Sequence, residues 1–417
     1  MVRFQQRRVK MIPNECSNHF SIEEIRQHPN ALSVHYQRFN VNDRILLTGH
    51  SHQAWPDCAF DGQVEAWNDA AHWVDKKWEN SFQKADRVRQ GFSRLIEDPE
   101  GSGHLALAPN THDLLIRFLS ALPLREKPRL ITTDGEFHSI RRQLDRLSEE
   151  GIELIKTPTD PHHSLAERLI EAVDPRASAM LVSAVFFKSG RILNRIPDIA
   201  AACQDSGVPL LIDAYHAINV TPFTIHDLRL ENAYIIGGGY KYCQLGEGNC
   251  FMRFPSEPVL RPLITGWFSE FDLLGNPEER GQVSYGRGGM RFAGSTYDPT
   301  SHYRAASVFD FFNLHGLTPA FLRQISQHQI ATLINAFDNL DADPAIICRD
   351  RSVALEEIGG FLVLETPSAE KISRLLSEQG VYTDYRGDNL RLGPAPYLSD
   401  QQLQDAIGIL GTVIKKS

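Results

Sequence analysis

The chain has 417 residues, with 43 Lys or Arg against 52 Asp or Glu, so its formal net charge is -9 at neutral pH. This length is enough for one large domain with a sizeable core and a smaller second domain. Binding to nucleic-acid phosphates requires a strongly basic face, which this balance does not favour. We therefore expect a small-molecule substrate and no nucleic-acid partner.

The cysteine pattern and the hydropathy predict a cytoplasmic protein. No C-x-x-C pair is present, so neither a zinc site nor a disulfide framework is expected. No run of 18 apolar residues occurs, so no membrane partner is expected. Residues 1–45 are interpreted as a loose N-terminal arm. The six cysteines are spread along the chain at Cys16, Cys58, Cys203, Cys243, Cys250 and Cys348.

Short apolar runs alternate with helical patterns in the predicted large domain, residues 46–300. Several runs are apolar throughout, as strands buried on both faces of a sheet must be. Repeated strand and helix units predict an α/β domain with a mostly parallel seven-stranded sheet covered by helices. The predicted strands are 104–108, 129–133, 153–156, 179–187, 209–214, 233–237 and 250–254.

The remaining residues, 301–417, predict a smaller C-terminal α+β domain. Helical patterns cover 303–314, 317–339, 368–379 and 399–414, and apolar stretches cover 360–366 and 381–392. In a parallel sheet, ligands bind beyond the carboxyl ends of the strands. The residues that follow the strands of the large domain are therefore the candidates for chemistry.

Lys241 follows three glycines, residues 237–239, at the end of a predicted strand. Glycines there would let a ligand approach the backbone. A lysine held in such a place can lose its proton through desolvation and form a Schiff base with a carbonyl. The alternative for a lysine taken alone is a solvated loop residue.

Asp213 lies 28 residues before Lys241, one strand-and-helix unit earlier, at the end of an apolar run. The alternative for this residue alone is a helix cap. Together, the two side chains match what pyridoxal phosphate requires: a lysine for its aldehyde and an Asp that keeps its pyridinium nitrogen protonated. The pair predicts a site for this cofactor.

A phosphate site is expected where the first strand of this domain leads into a helix. Backbone N–H groups at Asn110 and Thr111, with the Thr111 hydroxyl, would face an anion at the helix N-terminus. Asn110 is also a good N-cap, a role compatible with binding. Phe137 is expected to stack on the cofactor ring, and His216 to reach the same ring.

These residues carry a resemblance to a known family. The chain resembles the class V aminotransferase superfamily of fold-type I pyridoxal-phosphate enzymes, and within it the kynureninases, from about residue 45 to the C-terminus. The matching segments are Asn110-Thr111, 136–139, 188–190, 213–216, 240–242, 246–248, 266–268, 294–296, 384–386 and Arg391.

The resemblance implies a role for each residue near the cofactor ring. Lys241 would hold the cofactor as a Schiff base and shuttle a proton between substrate and cofactor. Asp213 would pair with the pyridinium nitrogen, and Phe137 would stack on the ring. Ser183 and His216 would lie beside it.

The resemblance also implies which residues bind the cofactor phosphate and the substrate carboxylate. Asn110, Thr111 and Tyr240 would bind the phosphate, joined by Trp267 and Thr296 from the neighbouring subunit of a homodimer. Arg391 would clamp the substrate carboxylate with two parallel hydrogen bonds.

The chain departs from the kynureninase pattern on the substrate side. Kynureninases follow the stacking Phe with Pro-Thr-Asp, where this chain has His138-Ser139-Ile140, and residues 48–53 also differ from their usual entrance sequence. The cofactor machinery is therefore better defined than the substrate.

The leading hypothesis is a kynureninase-like hydrolase that cleaves the Cβ–Cγ bond of an L-kynurenine-type amino acid, with Tyr240 as proton donor. The alternatives are a class V aminotransferase or another lyase with a different amino-acid substrate. Cysteine desulfurase is less favoured, since only Cys348 is near the right place for a loop nucleophile. A non-catalytic cofactor binder or a nucleotide binder stays open, although no G-x-G-x-x-G opens a helix.

Overall fold

The computed structural model describes residues 19–256, 260–275 and 281–415. Within these ranges, no helix combines the length and apolar character needed to cross a membrane. The helices are α1 Ile22–Arg26, α2 Cys58–Trp73, α3 Trp78–Leu95, α4 Thr111–Ser120, α5 His138–Glu149, α6 Leu165–Ala172, α7 Ile196–Asp205, α8 Thr300–Leu314, α9 Pro319–Asp338, α10 Ala369–Ser377 and α11 Asp400–Ile414. The strands are β1 Ile45–Leu46, β2 Leu105–Ala108, β3 Arg129–Thr133, β4 Glu153–Thr157, β5 Ala179–Ser183, β6 Leu210–Asp213, β7 Tyr234–Gly238, β8 Cys250–Arg253, β9 Leu362–Glu365, β10 Val381–Tyr382, β11 Asp384–Arg386 and β12 Asn389–Leu392.

The predicted mostly parallel seven-stranded sheet is confirmed in the described part of the chain. Its strand order is β2-β8-β7-β6-β5-β3-β4, and only β8 runs antiparallel to its neighbours. All residues of β5, β6 and β7 are buried. Apolar side chains on both faces of these strands are covered, which explains why their sequences do not alternate.

One predicted strand is too long. The apolar run at 179–187 forms a strand only to Ser183, and Val185 then makes an isolated antiparallel bridge to Ile192. The chain reverses at Gly190, whose φ of +70° is in the left-handed region that favours glycine. The apolar residues past Ser183 therefore form part of a buried turn beside the end of the sheet.

Strand register brings the strand ends of interest to one edge of the sheet. Ser183 pairs with Asp213 on the neighbouring strand, and Ala108 and Gly238 both pair with Cys250 on β8. Since β8 is antiparallel to both β2 and β7, the carboxyl ends of these two strands lie at the same edge as those of β5 and β6. This edge is where the predicted cofactor residues follow the strands.

The smaller α+β region contains a three-stranded antiparallel sheet in the order β11-β12-β9. Residues 381–392 were expected as one apolar stretch, and this is wrong. The stretch divides into β10, β11 and β12, with Gly387 at φ +57° between the last two. The resulting hairpin places Asp384 directly opposite Arg391.

The N-terminal arm is packed, not loose, where the structure describes it; residues 1–18 lie outside the described residues. Leu32 and Tyr36 are fully buried, and the Asn30 side-chain amide donates to the Pro396 carbonyl at 2.9 Å. The strand β1 then pairs in parallel with β10 of the C-terminal region. Residues 19–46 are therefore anchored to the C-terminal part, while the domain boundaries near 45 and 300 stay a prediction.

Candidate active site

A cavity of about 250 Å³ lies at the carboxyl edge of the large sheet. It brings together eight of the residues predicted to hold a cofactor. Its walls are formed by Pro109, Asn110, Thr111, His112, Phe137, Ser139, Ser183, Val185, Phe187, Asp213, Tyr215, His216, Tyr240, Lys241, Glu247, Gly248 and Cys250.

Lys241 is buried in this cavity, with only 5% of its surface exposed. Its Nζ lies 2.6 Å from His216 Nε2, and 4.8 Å and 5.5 Å from the ring centroids of Tyr215 and Phe137. The side chain is thus surrounded by aromatic rings and one imidazole. The solvated-loop alternative is excluded for this lysine.

Burial lowers the pKa of Lys241 to about 7, opposed by the attraction of Asp213 and assisted by the positive charge of Arg391. Burial also lowers the pKa of His216 well below its usual value, with Lys241 adding to the effect. A neutral His216 can accept a hydrogen bond from Lys241. At neutral pH the lysine is therefore partly deprotonated, the state in which it attacks carbonyl groups.

Asp213 ends β6 and faces the same cavity. One of its oxygens accepts a hydrogen bond from the Tyr215 backbone N–H at 2.9 Å, which fixes the carboxyl group at the strand end. Burial raises its pKa, while this hydrogen bond and Lys241 oppose the rise. A buried carboxylate of this kind favours a neighbouring cation, such as a protonated ring nitrogen.

Phe137 faces Lys241 across the cavity at the N-terminus of α5. Its ring contacts that of Phe187 edge-on, with centroids 5.3 Å apart and an interplanar angle of 87°. This contact fixes the orientation of the Phe137 ring at the wall of the cavity. A flat ligand between Phe137 and the strand ends would be in van der Waals contact with an aromatic surface.

Asn110 and Thr111 are at the start of α4, as predicted from the sequence. Asn110 is the N-cap, and its side-chain oxygen accepts from the Asp113 backbone N–H at 2.8 Å. The helix N-terminus and the Tyr240 side chain border the same cavity. Backbone N–H groups of the first turn and the positive end of the helix dipole make this end suitable for a phosphate.

The glycines before Lys241 serve a different purpose from the one predicted. A Cβ at Gly238 would lie 2.4 Å from the Tyr215 hydroxyl, and one at Gly239 would lie 2.6 Å from Leu245. These glycines therefore make room for the protein's own side chains, and the expectation that they admit a ligand to the backbone is wrong.

His52 and Glu247 were not predicted as site residues. The His52 ring stacks on Tyr240 with centroids 4.8 Å apart and an interplanar angle of 19°, and its Nε2 lies 3.6 Å from a Glu247 oxygen. His52 belongs to the 48–53 segment, where the chain departs from kynureninases. That departure was the sequence signal, but it gave no partner for the residue.

Arg391 does not line the cavity around Lys241 within the described structure. Its Nε and Nη2 donate to the two oxygens of Asp384 at 2.8 and 2.5 Å, and Nη1 donates to the Phe187 carbonyl. His50, which is fully buried, contacts Asp384 at 2.8 Å through Nε2. One edge of the guanidinium is thus already paired, and its role as a clamp for substrate stays a prediction.

Trp267 and Thr296 also lie away from the cavity of their own chain, as far as the described residues show. The Trp267 indole N–H donates to the Thr296 hydroxyl at 3.2 Å. Thr296 borders a separate, larger cavity of about 770 Å³. In a single chain these two side chains are therefore not combined with Lys241.

Comparison with known proteins gives relatives of low identity and a shared fold. No family model matches the chain. A kynureninase of Bacillus thuringiensis subsp. konkukian (strain 97-27) is 22% identical over 318 residues, which cover 73% of this chain and 72% of the relative.

Two solved structures share the fold over nearly the whole chain. One is a mutant of the cystine C–S lyase C-DES with glycine covalently linked to its PLP cofactor, at a TM-score of 0.78, 15% identity and coverage of 91% of this chain and 98% of that one. The other is the apo cysteine desulfurase of Thermococcus onnurineus NA1, at a TM-score of 0.77, 13% identity and coverage of 93% and 98%.

The chain has the fold-type I architecture, and these relatives support its assignment to the class V aminotransferase-like superfamily. Kynureninases and cysteine desulfurases both appear among the relatives and neighbours, so the superfamily is defined more firmly than the reaction.

Proposed function

We propose that the protein is a pyridoxal-phosphate-dependent enzyme that acts on an amino acid. The observation that carries this proposal is one cavity that combines a buried Lys241, the Asp213 carboxyl one strand away and the Phe137 ring opposite. His216 Nδ1 is buried without a hydrogen-bond partner among the described residues, which fits a site where a further polar group binds. The residues present thus fit this cofactor.

Pyridoxal phosphate, when bound, supplies an electron sink that stabilises negative charge at the substrate's α-carbon. Lys241 attaches the cofactor and moves the proton of the α-carbon. Asp213 holds a proton at the ring nitrogen, and Phe137 orients the ring. Asn110, Thr111 and Tyr240 bind the phosphate from the α4 end of the cavity.

We propose a kynureninase-like hydrolase, which cleaves the Cβ–Cγ bond of an L-kynurenine-type substrate. The kynureninase relatives and the segments at 240–242 and 384–386 support this choice. Tyr240 is the proposed proton donor to the released β-carbon. Burial raises its pKa to about 12, so its hydroxyl carries a proton at neutral pH.

Incubation of the loaded enzyme with kynurenine and with 3-hydroxykynurenine tests this reaction. The proposal predicts alanine together with the matching anthranilate, and no product from Lys241→Ala. The absence of both anthranilates at high enzyme concentration would exclude the hydrolase.

A class V aminotransferase or another lyase is the second candidate, favoured by the altered entrance around His52 and His138. A half-reaction distinguishes it, because without a keto acid an aminotransferase stops after its first half-reaction with the cofactor in its amine form, and a hydrolase does not. Amino acids from a panel would be added singly without a keto acid, and the cofactor form would be identified after removal of the protein.

Cysteine desulfurase is less favoured by the described cysteines. Cys348 is half-buried in an isolated β-bridge to Glu365 and does not border the cavity. Cys250 does border it, but burial raises the pKa of its thiol to about 12, which leaves little thiolate at neutral pH. Neither residue resembles a nucleophile on an exposed loop.

We further propose a homodimer in which Trp267 and Thr296 of one chain complete the phosphate site of the other. The position of both side chains outside the Lys241 cavity of their own chain supports this arrangement. A cytoplasmic location, with a small amino acid as the partner, is part of the same proposal.

A further inference from the structure

Glu136 is a buried acid next to the proposed cofactor site, and it has no part in the chemistry described above. It lies between β3 and α5, immediately before Phe137, and only 2% of its surface is exposed. An unpaired carboxylate in such a place is costly, so its contacts require an explanation.

The Glu136 carboxyl group connects the ends of two strands. Its Oε1 accepts from the Thr133 hydroxyl at 2.6 Å and from the Ser183 backbone N–H at 3.2 Å. Its Oε2 lies 2.6 Å from the Ser183 hydroxyl, which donates to it. These three donors suit an ionised carboxylate, and no Lys or Arg is among its hydrogen-bond partners in the described structure.

The carboxyl group of Glu136 is also close enough to Asp213 for the two charges to interact. Ser183 pairs with Asp213 in the sheet, so Glu136 contacts the residue next to the carboxyl that faces the ring nitrogen. Burial raises the pKa of Glu136 to about 7; the donors Ser183 and Thr133 oppose the rise, and the charge of Asp213 adds to it. Lys241 is the cation that in turn acts on Asp213.

We propose that Glu136 is a positioning residue of the cofactor site, whose negative charge acts with Asp213 to hold a proton on the ring nitrogen. This inference rests on the proposed function. When Glu136 is ionised, its negative charge adds to that of Asp213 from behind Ser183, although Glu136 does not itself line the cavity. When Glu136 is protonated, only Asp213 acts, and the hydrogen bonds around Ser183 still fix the strand ends.

The test compares pyridoxal phosphate with an analogue whose ring nitrogen is replaced by carbon. Their affinities for the intact chain and for Glu136→Gln are measured by equilibrium dialysis at pH 6 and pH 8. Both ligands react with Lys241 in the same way, so titration of that lysine affects them equally. The difference between the affinities of the two ligands therefore isolates the interaction of the protein with the ring nitrogen.

We expect Glu136→Gln to weaken binding of pyridoxal phosphate at pH 8 by about tenfold, the effect of one pKa unit at the ring nitrogen. At pH 6, where Glu136 is mostly protonated, Glu136→Gln should weaken binding of pyridoxal phosphate by no more than about twofold. Binding of the carbon analogue should change by no more than about twofold at either pH. An equal loss for both ligands, or no loss at pH 8, would contradict the proposal.

Two neighbouring threonines provide a matched pair. Thr133→Val removes a donor to ionised Glu136, so the pH at which the difference between the two ligands appears should move upward. Thr132 is also buried in β3, and its hydroxyl has no partner among the described residues. Thr132→Val should therefore leave unchanged the pH at which the two ligands begin to differ. If Glu136→Gln does not fold, equal behaviour of the two valine variants overturns the proposal.

Failure of the proposed function and failure of the Glu136 role give different results. If the unaltered chain binds neither ligand, the proposed function is wrong. If it binds pyridoxal phosphate and Glu136→Gln binds it equally well at pH 8, only the role of Glu136 is wrong.

Discussion

The cluster around Lys241 and the segments that carry Trp267 and Thr296 differ in how completely one chain encloses them. Lys241 and Asp213 are buried by their own chain, whereas Trp267 is 43% exposed and the nearby Leu263 is 83% exposed. Large apolar side chains that are exposed in the same short segment indicate a surface that another molecule covers. The first region is a site built by local packing, and the second is expected to act across a subunit interface.

Replacement of Asp213, in the cluster around Lys241, should cause the largest loss of activity. Asp213→Asn removes the charge that is proposed to hold a proton on the ring nitrogen, so kcat should fall by roughly 100- to 1000-fold, the usual range for a preorganised electrostatic group. Asp134→Asn is the control, because Asp134 is exposed and bonds to Thr159 at another strand end. Similar kcat values for the two variants would contradict the assignment.

Arg391 is the proposed clamp for the substrate carboxylate, and its replacement should have the next largest effect. Arg391→Lys keeps the charge but loses the paired geometry of the guanidinium, so KM for the amino acid should rise by about tenfold to a hundredfold, equal to about 1.4 to 2.8 kcal/mol. Asp384→Asn should also raise KM by releasing the guanidinium from its position. Unchanged KM in both variants would show that the carboxylate binds elsewhere.

The pH dependence of cofactor uptake tests the environment of Lys241. Because burial lowers the pKa of this lysine to about 7 in the cofactor-free chain, the neutral fraction grows as pH rises through 7. The rate of pyridoxal-phosphate incorporation should therefore increase by about tenfold between pH 6 and pH 8 and then level off. A rate that keeps rising to pH 10 would indicate an ordinary, solvated lysine.

Substitution of Thr296, in the exposed region, should have the smallest effect on cofactor affinity. Its effect should be clearest in mixed dimers of two variants. Thr296→Ala removes a proposed phosphate contact and should weaken cofactor binding several-fold, or about 1 kcal/mol. Mixing Lys241→Ala subunits with Thr296→Ala subunits should restore full cofactor affinity to some sites, since one interface then combines an intact Lys241 with an intact Thr296. No such recovery after verified subunit exchange would place Thr296 in the site of its own chain.

The parts of the fold and the site that could be predicted from the sequence are those built from residues close together along the chain. The buried strands are continuous apolar runs, so the sheet and the residues at its carboxyl edge follow from local patterns. Lys241 and Asp213 were found because Asp213 ends one buried strand and Lys241 comes shortly after the next. Tyr215 was passed over as the source of the glycine requirement at Gly238, because that contact depends on how the ring packs back onto the next strand.

Contacts between distant segments were the least accessible. His50 and Asp384 are separated by 334 positions, and nothing in either local pattern indicates that they meet. Asp384 and Arg391 are closer, but their pairing requires a hairpin at Gly387, which was not predicted within the apolar stretch. The residue proposed to bind the substrate, Arg391, depends on such contacts, so the substrate is defined less sharply than the cofactor.

The most direct test of the central claim is the visible absorption of the purified protein after addition of pyridoxal phosphate and removal of the excess. The account predicts a visible band from cofactor joined to Lys241, present in the unaltered chain and in Lys188→Ala, whose exposed lysine follows β5. The band should be absent from folded Lys241→Ala. A protein that stays colourless, or a band of equal strength in Lys241→Ala, would contradict the claim that this cavity is a pyridoxal-phosphate site.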